Sequence, residues 1–279
     1  MGLCLLVETT LGGYSVGLAD FRQKEESLAS ELLWFHGETE KFHVAKSLAT
    51  KVKEGLEAVG RSYTDIKRVM VSSGPGSFTG VKIGLSFCHG LKAACPQVEF
   101  YGCSALDMFL LGLGKLYDGD TVDFCKMLAI SAERSFSAQS AVFLKATREH
   151  GFYSLVEKPG KLSSHQLNLE SLSYNRFAEN NVDLMVVDGW PELENLCANA
   201  GLKLSSIPLN TVQRIAAVGM LTELALSFQK VQSESNAGLD NVPAAAGSYG
   251  DEQKIRFSSS VPAANYMKLS TAEERLLAK

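Results

Sequence analysis

The segment Gly74-Pro75-Gly76-Ser77-Phe78-Thr79-Gly80 constrains the fold more than any other part of this sequence. It separates an apolar strand pattern at 68–72 from a helical pattern at 81–94. A strand, a tight glycine-bearing turn and a helix are the parts of a strand–helix crossover, in which the helix packs back on the sheet. The sequence therefore predicts an α/β layer around this turn.

The residues before this segment predict three strands and one helix. Strands are expected at 3–7 and 14–18, on either side of the turn pair Gly12-Gly13, and at 31–36. From residue 40 the apolar residues recur at steps of three and four, which predicts an amphipathic helix over 40–59. The predicted apolar stripe consists of Phe42, Ala45, Ala49, Val52, Leu56 and Val59, with Leu48 on its flank.

The second half of the chain repeats this order of elements. After a strand at 98–101 and a helix from Ser104, further strands are predicted at 126–130, 136–144, 152–156 and 184–187, and helices at 164–180, 191–200 and 211–230. Two halves of like order indicate two lobes, over 1–105 and 106–231, and an ancient duplication. Residues 232–260, rich in Ser, Asn, Gly, Ala and Pro, are predicted to be a flexible insertion.

Composition excludes several classes of protein. The 279 residues carry 31 acidic and 27 basic side chains, without the basic surplus of a chain that grips nucleic acid by itself. The six cysteines are spread without a CxxC pair, which predicts free buried thiols in a reducing compartment. No stretch has the length and apolarity of a membrane span, and the first eight residues lack a signal-peptide pattern. We expect a cytoplasmic protein.

Two turns are candidates for binding chemistry. The N-terminus of a helix after Gly74–Gly80 could hold a phosphate, although neither a Walker loop nor GxGxxG is present. The alternative, favoured on spacing alone, is a rigid turn whose glycines let two helices pack closely. Glu8-Thr9-Thr10 could orient a metal-bound phosphate, and here an ordinary polar turn is the favoured alternative.

Other polar residues predict no catalytic or metal site. Without an HxxxH or HExxH pattern, His36 and His43 are interpreted as structural or surface residues. Cys88 and His89 are neighbours on a helix and point about 100° apart, so they do not form a catalytic pair. The carboxylates around the strand at 184–187 are interpreted as helix caps rather than as a catalytic base: Asp183, Asp188 and Glu192.

Several motifs together resemble the TsaB (YeaZ) family. They are Leu5–Thr10, the helix bearing His43, the string Ser72–Gly84 and, less specifically, Asp188–Pro191 and Asn265–Lys268 with Ala272–Glu274. The resemblance is specific over residues 1–105 and loose beyond them. It implies a two-lobed actin/Hsp70-like (ASKHA) fold, each lobe a mixed sheet covered by helices, with the tail 261–279 packed back on the first lobe.

The resemblance also implies a function. Proteins of this family are non-catalytic scaffold subunits in the synthesis of tRNA N6-threonylcarbamoyladenosine, and they bind and activate a TsaD-type catalytic subunit beside a TsaE-type ATPase. Contact with tRNA is expected only through the complex, and no membrane contact is expected. No cofactor is required. Weak ATP or ADP binding at the complex interface, and a homodimer of the isolated chain, are left open.

Two departures from the family bear on nucleotide chemistry. Residues placed to face a nucleotide or phosphate are Glu8, Thr9, Thr10, Gly74, Gly76 and Ser77. The family has Asp where Glu8 stands, and Asp-Ala-Arg where this chain has Ser131-Ala132-Glu133-Arg134. The alternative function, a free-standing ASKHA phosphotransferase acting on a small molecule, needs that second-lobe acid. A metal-dependent glycoprotease needs metal ligands that the sequence does not offer.

The helices predicted at 40–59 and 80–95 suggest how a partner docks. Two such helices side by side can bury one face on the sheet and offer the other to an equivalent pair, which gives a four-helix interface. The residues predicted at or near it are His43, Leu48, Val52, Val81, Leu85 and Phe87. On this hypothesis, Leu48→Asp weakens the complex without loss of folding.

Overall fold

The computed structural model describes residues 2–24, 27–40, 43–117, 140–158, 161–169, 177, 182–235 and 259–263. The first half forms a five-stranded mixed sheet in the order β3-β2-β1-β4-β5. Its strands are β1 (Gly2–Glu8), β2 (Tyr14–Lys24), β3 (Ser27–Glu38), β4 (Ile66–Gly74) and β5 (Glu99–Ser104). Strands β1 to β3 pair antiparallel, whereas β4 and β5 run parallel to β1.

The second half forms another five-stranded sheet with the equivalent order, β10-β9-β6-β7-β8. Its strands are β6 (Ser140–Lys145), β7 (His150–Lys158), β8 (Lys161–Asn168), β9 (Asp183–Val187) and β10 (Leu204–Ile207). Here too three antiparallel strands lead into parallel ones. The predicted repetition is confirmed for the strands of the two halves.

Within the described residues, five helices cover the sheets: α1 (Val44–Ala58), α2 (Phe78–Ala94), α3 (Ala105–Tyr117), α4 (Pro191–Asn199) and α5 (Leu209–Ser235). A 3₁₀ turn, Tyr63–Asp65, precedes β4. Helices α1 and α2 bury their apolar residues on one face of the first sheet. Helices α3 and α5 contribute to the core of the second sheet and also to the opposite face of the first sheet. The two lobes therefore share these two helices.

The apolar stripe of α1 differs from the predicted one. The buried residues are Val44, Leu48, Val52, Gly55 and Leu56, whereas Ala45 and Ala49 are exposed and Phe42 lies outside the described residues. Alanine fits an apolar pattern but has little surface to bury. The sheet therefore selects the adjacent stripe, which is centred on Leu48.

Two predictions for the second half need correction. The helix predicted over 164–180 is wrong in its first part, because residues up to Asn168 belong to β8. This strand has no clear alternation of its own and owes its extension to pairing with β7. The predicted insertion starts too early, since α5 continues through Ser235. The predicted strand at 126–130, the segment 131–134, most of the insertion and residues 264–279 lie outside the described residues.

Candidate functional site

The candidate site is built around the turn between β1 and β2. Glu8 ends β1, and its side chain folds back over the turn that follows. One carboxylate oxygen, Oε1, accepts hydrogen bonds from Thr10 N–H (2.5 Å), Thr10 Oγ1 (2.8 Å), Leu11 N–H (3.0 Å) and Ser72 Oγ (3.1 Å). Glu8 is only 1% exposed. The carboxylate therefore caps its own turn.

The second carboxylate oxygen of Glu8 has a different environment. Oε2 is buried and has no hydrogen-bond partner within the described residues. Burial raises the pKa of Glu8 above the ordinary 4.5, because desolvation outweighs the four hydrogen bonds that favour the charged form. The folded environment therefore favours the protonated form of the Glu8 carboxyl more than aqueous solution does.

The Gly74–Gly80 segment holds this turn against α2. Thr10 O accepts the Ser77 N–H at 2.7 Å, and Thr9 Oγ1 donates to Gly80 O at 2.8 Å. A β-carbon on Gly80 would lie well under 3.0 Å from the Thr9 carbonyl oxygen, and one on Gly84 would lie 2.6 Å from Thr9 Oγ1. A tight turn is present as predicted, but its glycines admit the β1–β2 turn rather than a second helix.

The residues predicted to face a phosphate are engaged by the chain itself. Glu8, Thr9, Thr10 and Gly74 are buried, and Gly76 is half-buried. Ser77 is exposed, yet its Oγ accepts the Gly80 N–H at 3.1 Å and caps α2. A phosphate-facing role for these six residues stays a prediction. In this arrangement they build one interlocked loop.

The residues predicted for the partner interface divide into two groups. Leu48, Val52, Val81 and Leu85 are buried in the first-lobe core, whereas His43 is exposed and Phe87 is half-buried. Four of the six therefore pack on the sheet and present no side-chain surface to a partner. For Leu48 and Val52, the reason for this burial is the buried stripe of α1, which is centred on Leu48. The interface itself stays a prediction.

The sequence interpretation missed the residues on the outer side of α2. Phe78 is the one large apolar side chain exposed in the described ranges, at 45%. The Lys82 ammonium lies 4.0 Å from the centre of its ring. Ser86 and Gly90 continue the same i, i+4 row and are exposed. The signal in the sequence was the pair of small residues, Ser86 and Gly90, at four-residue spacing after Phe78 and Lys82.

The remaining polar candidates have structural surroundings. His36 stacks on Trp34 and lies beside Tyr14, and burial lowers its pKa. Glu192 and Glu194 both lie in the first turn of α4. Glu194 Oε1 accepts the Trp190 N–H at 3.0 Å, and Glu192 pairs with Lys145 and Arg148. No three His, Cys, Asp or Glu side chains in the described segments are arranged to hold a metal ion.

The predicted free cysteines are confirmed for the five that the structure describes. Cys4, Cys88, Cys95, Cys103 and Cys197 are all unpaired and buried, and Cys125 lies outside the described residues. Burial raises the pKa of the Cys4 and Cys88 thiols to about 12. Across the described segments, no helix is both long enough and apolar enough to cross a bilayer.

Replacing Glu8 by glutamine should remove a pH dependence of stability. Because the pKa of Glu8 is raised in the fold, the folded chain binds this proton more tightly than the unfolded chain, and wild-type stability falls as pH rises above 4.5. Glutamine carries no such proton, so Glu8→Gln should become more stable relative to wild type with rising pH. Urea unfolding from pH 4.5 to about 8 measures this difference.

The matched control for Glu8→Gln is Glu57→Gln, which removes an exposed carboxylate from α1. A stability difference between wild type and Glu8→Gln that is the same at every pH would show that Glu8 titrates as it does in the unfolded chain.

Comparison with known proteins identifies the family. The family model described as TsaD: tRNA N6-adenosine threonylcarbamoyltransferase matches residues 38–237, and a search of curated proteins finds no match. YeaZ from Pseudomonas aeruginosa aligns at a TM-score of 0.51 and 18% identity, over 84% of this chain and 94% of YeaZ. A second structure, of an uncharacterized protein from Pseudomonas aeruginosa with similarity to peptidase YeaZ, aligns at 0.51 and 18%, over 80% and 93%.

These matches confirm the resemblance and the two-lobed ASKHA-type fold predicted from the sequence motifs. The family match covers more than half of the chain, from the end of β3 to just beyond α5. The chain belongs to the TsaD tRNA N6-adenosine threonylcarbamoyltransferase family, and its fold is of the TsaB (YeaZ) type.

Proposed function

We propose that this chain is a non-catalytic subunit that binds and activates a TsaD-type catalytic subunit in the synthesis of tRNA N6-threonylcarbamoyladenosine. Membership of the family connects the chain with this tRNA modification. The finer assignment rests on one observation. Glu8, Thr9 and Thr10, which would face a nucleotide phosphate, are buried and bonded to their own chain.

This burial favours a subunit over a phosphotransferase. A phosphoryl-transfer site must present donors and a metal-binding carboxylate to a nucleotide. Here the Ser77 N–H binds Thr10 O, and the Oε1 atom of Glu8 accepts four hydrogen bonds. To bind a metal–phosphate, the loop would have to break these interactions. The energy required counts against nucleotide chemistry on this chain.

The outer side of the α1–α2 pair is the surface best suited to a partner. We call it the docking face and define it by six exposed residues: Ala45, Ala49, Phe78, Lys82, Ser86 and Gly90. Four of them are small. A β-carbon on Gly90 would have nothing within 4 Å, so no contact among the described residues requires a glycine there.

Gly90 is the most informative residue of the docking face. Glycine inside a helix is less stable than alanine by about 1 kcal/mol. No contact of Gly90 among the described residues compensates for this loss of stability. A close approach of another helix would account for it, because ridges of one helix fit into grooves of the next when small residues line the contact. Phe78, at the end of the same row, offers an aromatic anchor of the kind that dominates interface energetics.

A catalytic subunit of the same fold is the proposed occupant. Such a subunit carries an equivalent pair of helices on its first sheet, and two pairs packed face to face form the four-helix interface predicted from the sequence. His43 and Phe87, the accessible members of the original prediction, lie on the same two helices.

Gly90→Leu tests this interface with little risk to folding. Leucine is a better helix former than glycine and has open space in the isolated chain, but its side chain would hold a partner helix away. We expect the Kd of the complex with a TsaD-type subunit to rise at least about tenfold, which corresponds to about 1.4 kcal/mol. Isothermal titration calorimetry measures it, and the tRNA modification assay should lose activity in parallel.

The matched control is Ala198→Leu, which adds a leucine side chain to an exposed position of α4 in the second lobe. Equal affinity of wild type and Gly90→Leu for the catalytic subunit would contradict the docking face. Turnover of ATP by the isolated chain with a small-molecule acceptor would instead favour the phosphotransferase.

A further inference from the structure

Three distant segments of the chain meet at the side chain of Gln213. This residue lies on α5 and is 1% exposed. Its carboxamide nitrogen donates to Gly12 O, in the β1–β2 turn, at 3.1 Å and to Glu38 O, at the end of β3, at 2.9 Å. One amide group therefore satisfies two main-chain carbonyls from the first lobe.

Glycines surround this meeting point. Gly13 has a φ of +62°, and a β-carbon there would lie well under 3.0 Å from Glu38 O. A β-carbon on Gly37 would lie 2.7 Å from the Oε1 atom of Gln213. Side chains at these positions would push the turn, the strand end and α5 apart. The close approach explains Gly13, and the φ of +118° at Gly12 explains the other glycine of a pair that the sequence marks only as a turn.

Gln213 lies where α5 passes from the cluster of the second sheet to the face of the first sheet. The neighbours of Gln213 on α5 (Val212, Ile215 and Ala216) pack in the cluster formed with the second sheet. Its acceptors belong to the first half of the chain: Gly12 lies in the β1–β2 turn, and Glu38 ends β3, the strand that precedes α1. A side chain on the helix that the two lobes share thereby fixes the end of β3 relative to the β1–β2 turn.

We propose that Gln213 is a latch that joins the two lobes and positions the start of α1. The consequence for partner binding rests on the proposed function, because α1 carries part of the docking face. Through this latch the second lobe has a specific role: it helps to position α1, one of the two helices to which the catalytic subunit binds. Gln213 is a positioning residue, without contact to any reacting group.

The chemistry of the amide defines the variants. Gln213→Met keeps the length of the side chain but removes both donors. Gln213→Glu keeps the shape and places carboxylate oxygen where the two carbonyls require N–H. The control is Thr222→Val on the same helix, which removes a hydrogen bond to Val218 O within α5 and none between the lobes.

Hydrogen–deuterium exchange of the isolated full chain tests the latch without a partner. In both Gln213 variants we expect exchange to accelerate at least tenfold in segments 10–13, 37–40 and 44–47, with the strands of the second sheet unchanged. Thr222→Val should leave these three segments as in wild type. Wild-type exchange in the three segments of both Gln213 variants, or an equal acceleration along the whole chain, would overturn the proposal.

A second variant keeps the test decisive if the Gln213 variants do not fold. Gly37→Ala places a methyl group against the Gln213 carboxamide from the side of β3 and should accelerate exchange in the same three segments. Unchanged exchange in Gly37→Ala would overturn the latch. Because exchange is measured on the chain alone, this result is independent of whether the catalytic subunit binds.

Discussion

Gly80→Ala is expected to lower the free energy of unfolding by about 3 kcal/mol, the upper part of the range for overpacked sites. The new methyl group would overlap the Thr9 carbonyl oxygen, which is main chain and cannot rotate away. Thr9 is also held by its hydrogen bonds to Gly80 O and to Ser72 Oγ. To relieve the overlap, the β1–β2 turn must move off α2 and break these contacts. Urea unfolding followed by circular dichroism measures the change.

Gly90→Ala is the matched control for Gly80→Ala, because both glycines lie in α2 and gain the same helix propensity on substitution. At Gly90 the methyl group meets open space, so the isolated chain should become more stable by about 1 kcal/mol. The two substitutions should therefore have opposite signs. A loss of stability at both positions, or at neither, would contradict the close packing of the β1–β2 turn against Gly80.

Leu48→Asp is expected to abolish cooperative folding. Leu48 is 1% exposed and lies in the middle of the first-lobe core. Loss of its packing alone costs about 2–5 kcal/mol, and a buried carboxylate without a partner adds several more. The sum is comparable with the whole stability of a typical domain, roughly 5–15 kcal/mol. Circular dichroism and size-exclusion chromatography of the purified variant measure this outcome.

Ala49→Asp is the control for Leu48→Asp and also tests the docking face. The two residues are adjacent on α1, but Ala49 is exposed. Its aspartate should leave folding intact and weaken binding of the catalytic subunit, because a charge would be buried in the four-helix interface. Because Leu48 is buried and Ala49 is exposed, Ala49→Asp is the variant of α1 that tests the predicted interface. A folded, cooperative Leu48→Asp protein would show that the orientation of α1 is wrong.

The sequence predicted the order of elements well because the signals for strands and helices are local. Alternation around Gly12-Gly13 and the three-and-four spacing after residue 40 depend only on neighbours in the chain. The absence of a CxxC pair in the sequence likewise predicted the free cysteines. Strand β8 was missed because its extended form depends on pairing with β7 rather than on its own pattern.

The face of α1 shows where local signals end. A stripe through Ala45 and Ala49 and a stripe through Val44 and Leu48 both satisfy helical spacing. The choice between them depends on which one has surface to bury against the sheet. The residues predicted for the interface therefore include core residues. The two helices predicted to carry the interface, α1 and α2, are nevertheless the two that pack on one face of the first sheet.

The amino-acid sequence alone was enough to establish the α/β class, the repeated halves and the family, since these follow from local patterns and from the Gly74–Gly80 string. The contacts of that string, and those of Glu8 and Gln213, were decided only by the fold. Thr9 lies 71 residues from Gly80, and Gln213 lies 201 residues from Gly12. Hydrogen bonds across such separations require the sheet and α5 to bring the groups together. The residues next to each group in the sequence give no indication of these contacts.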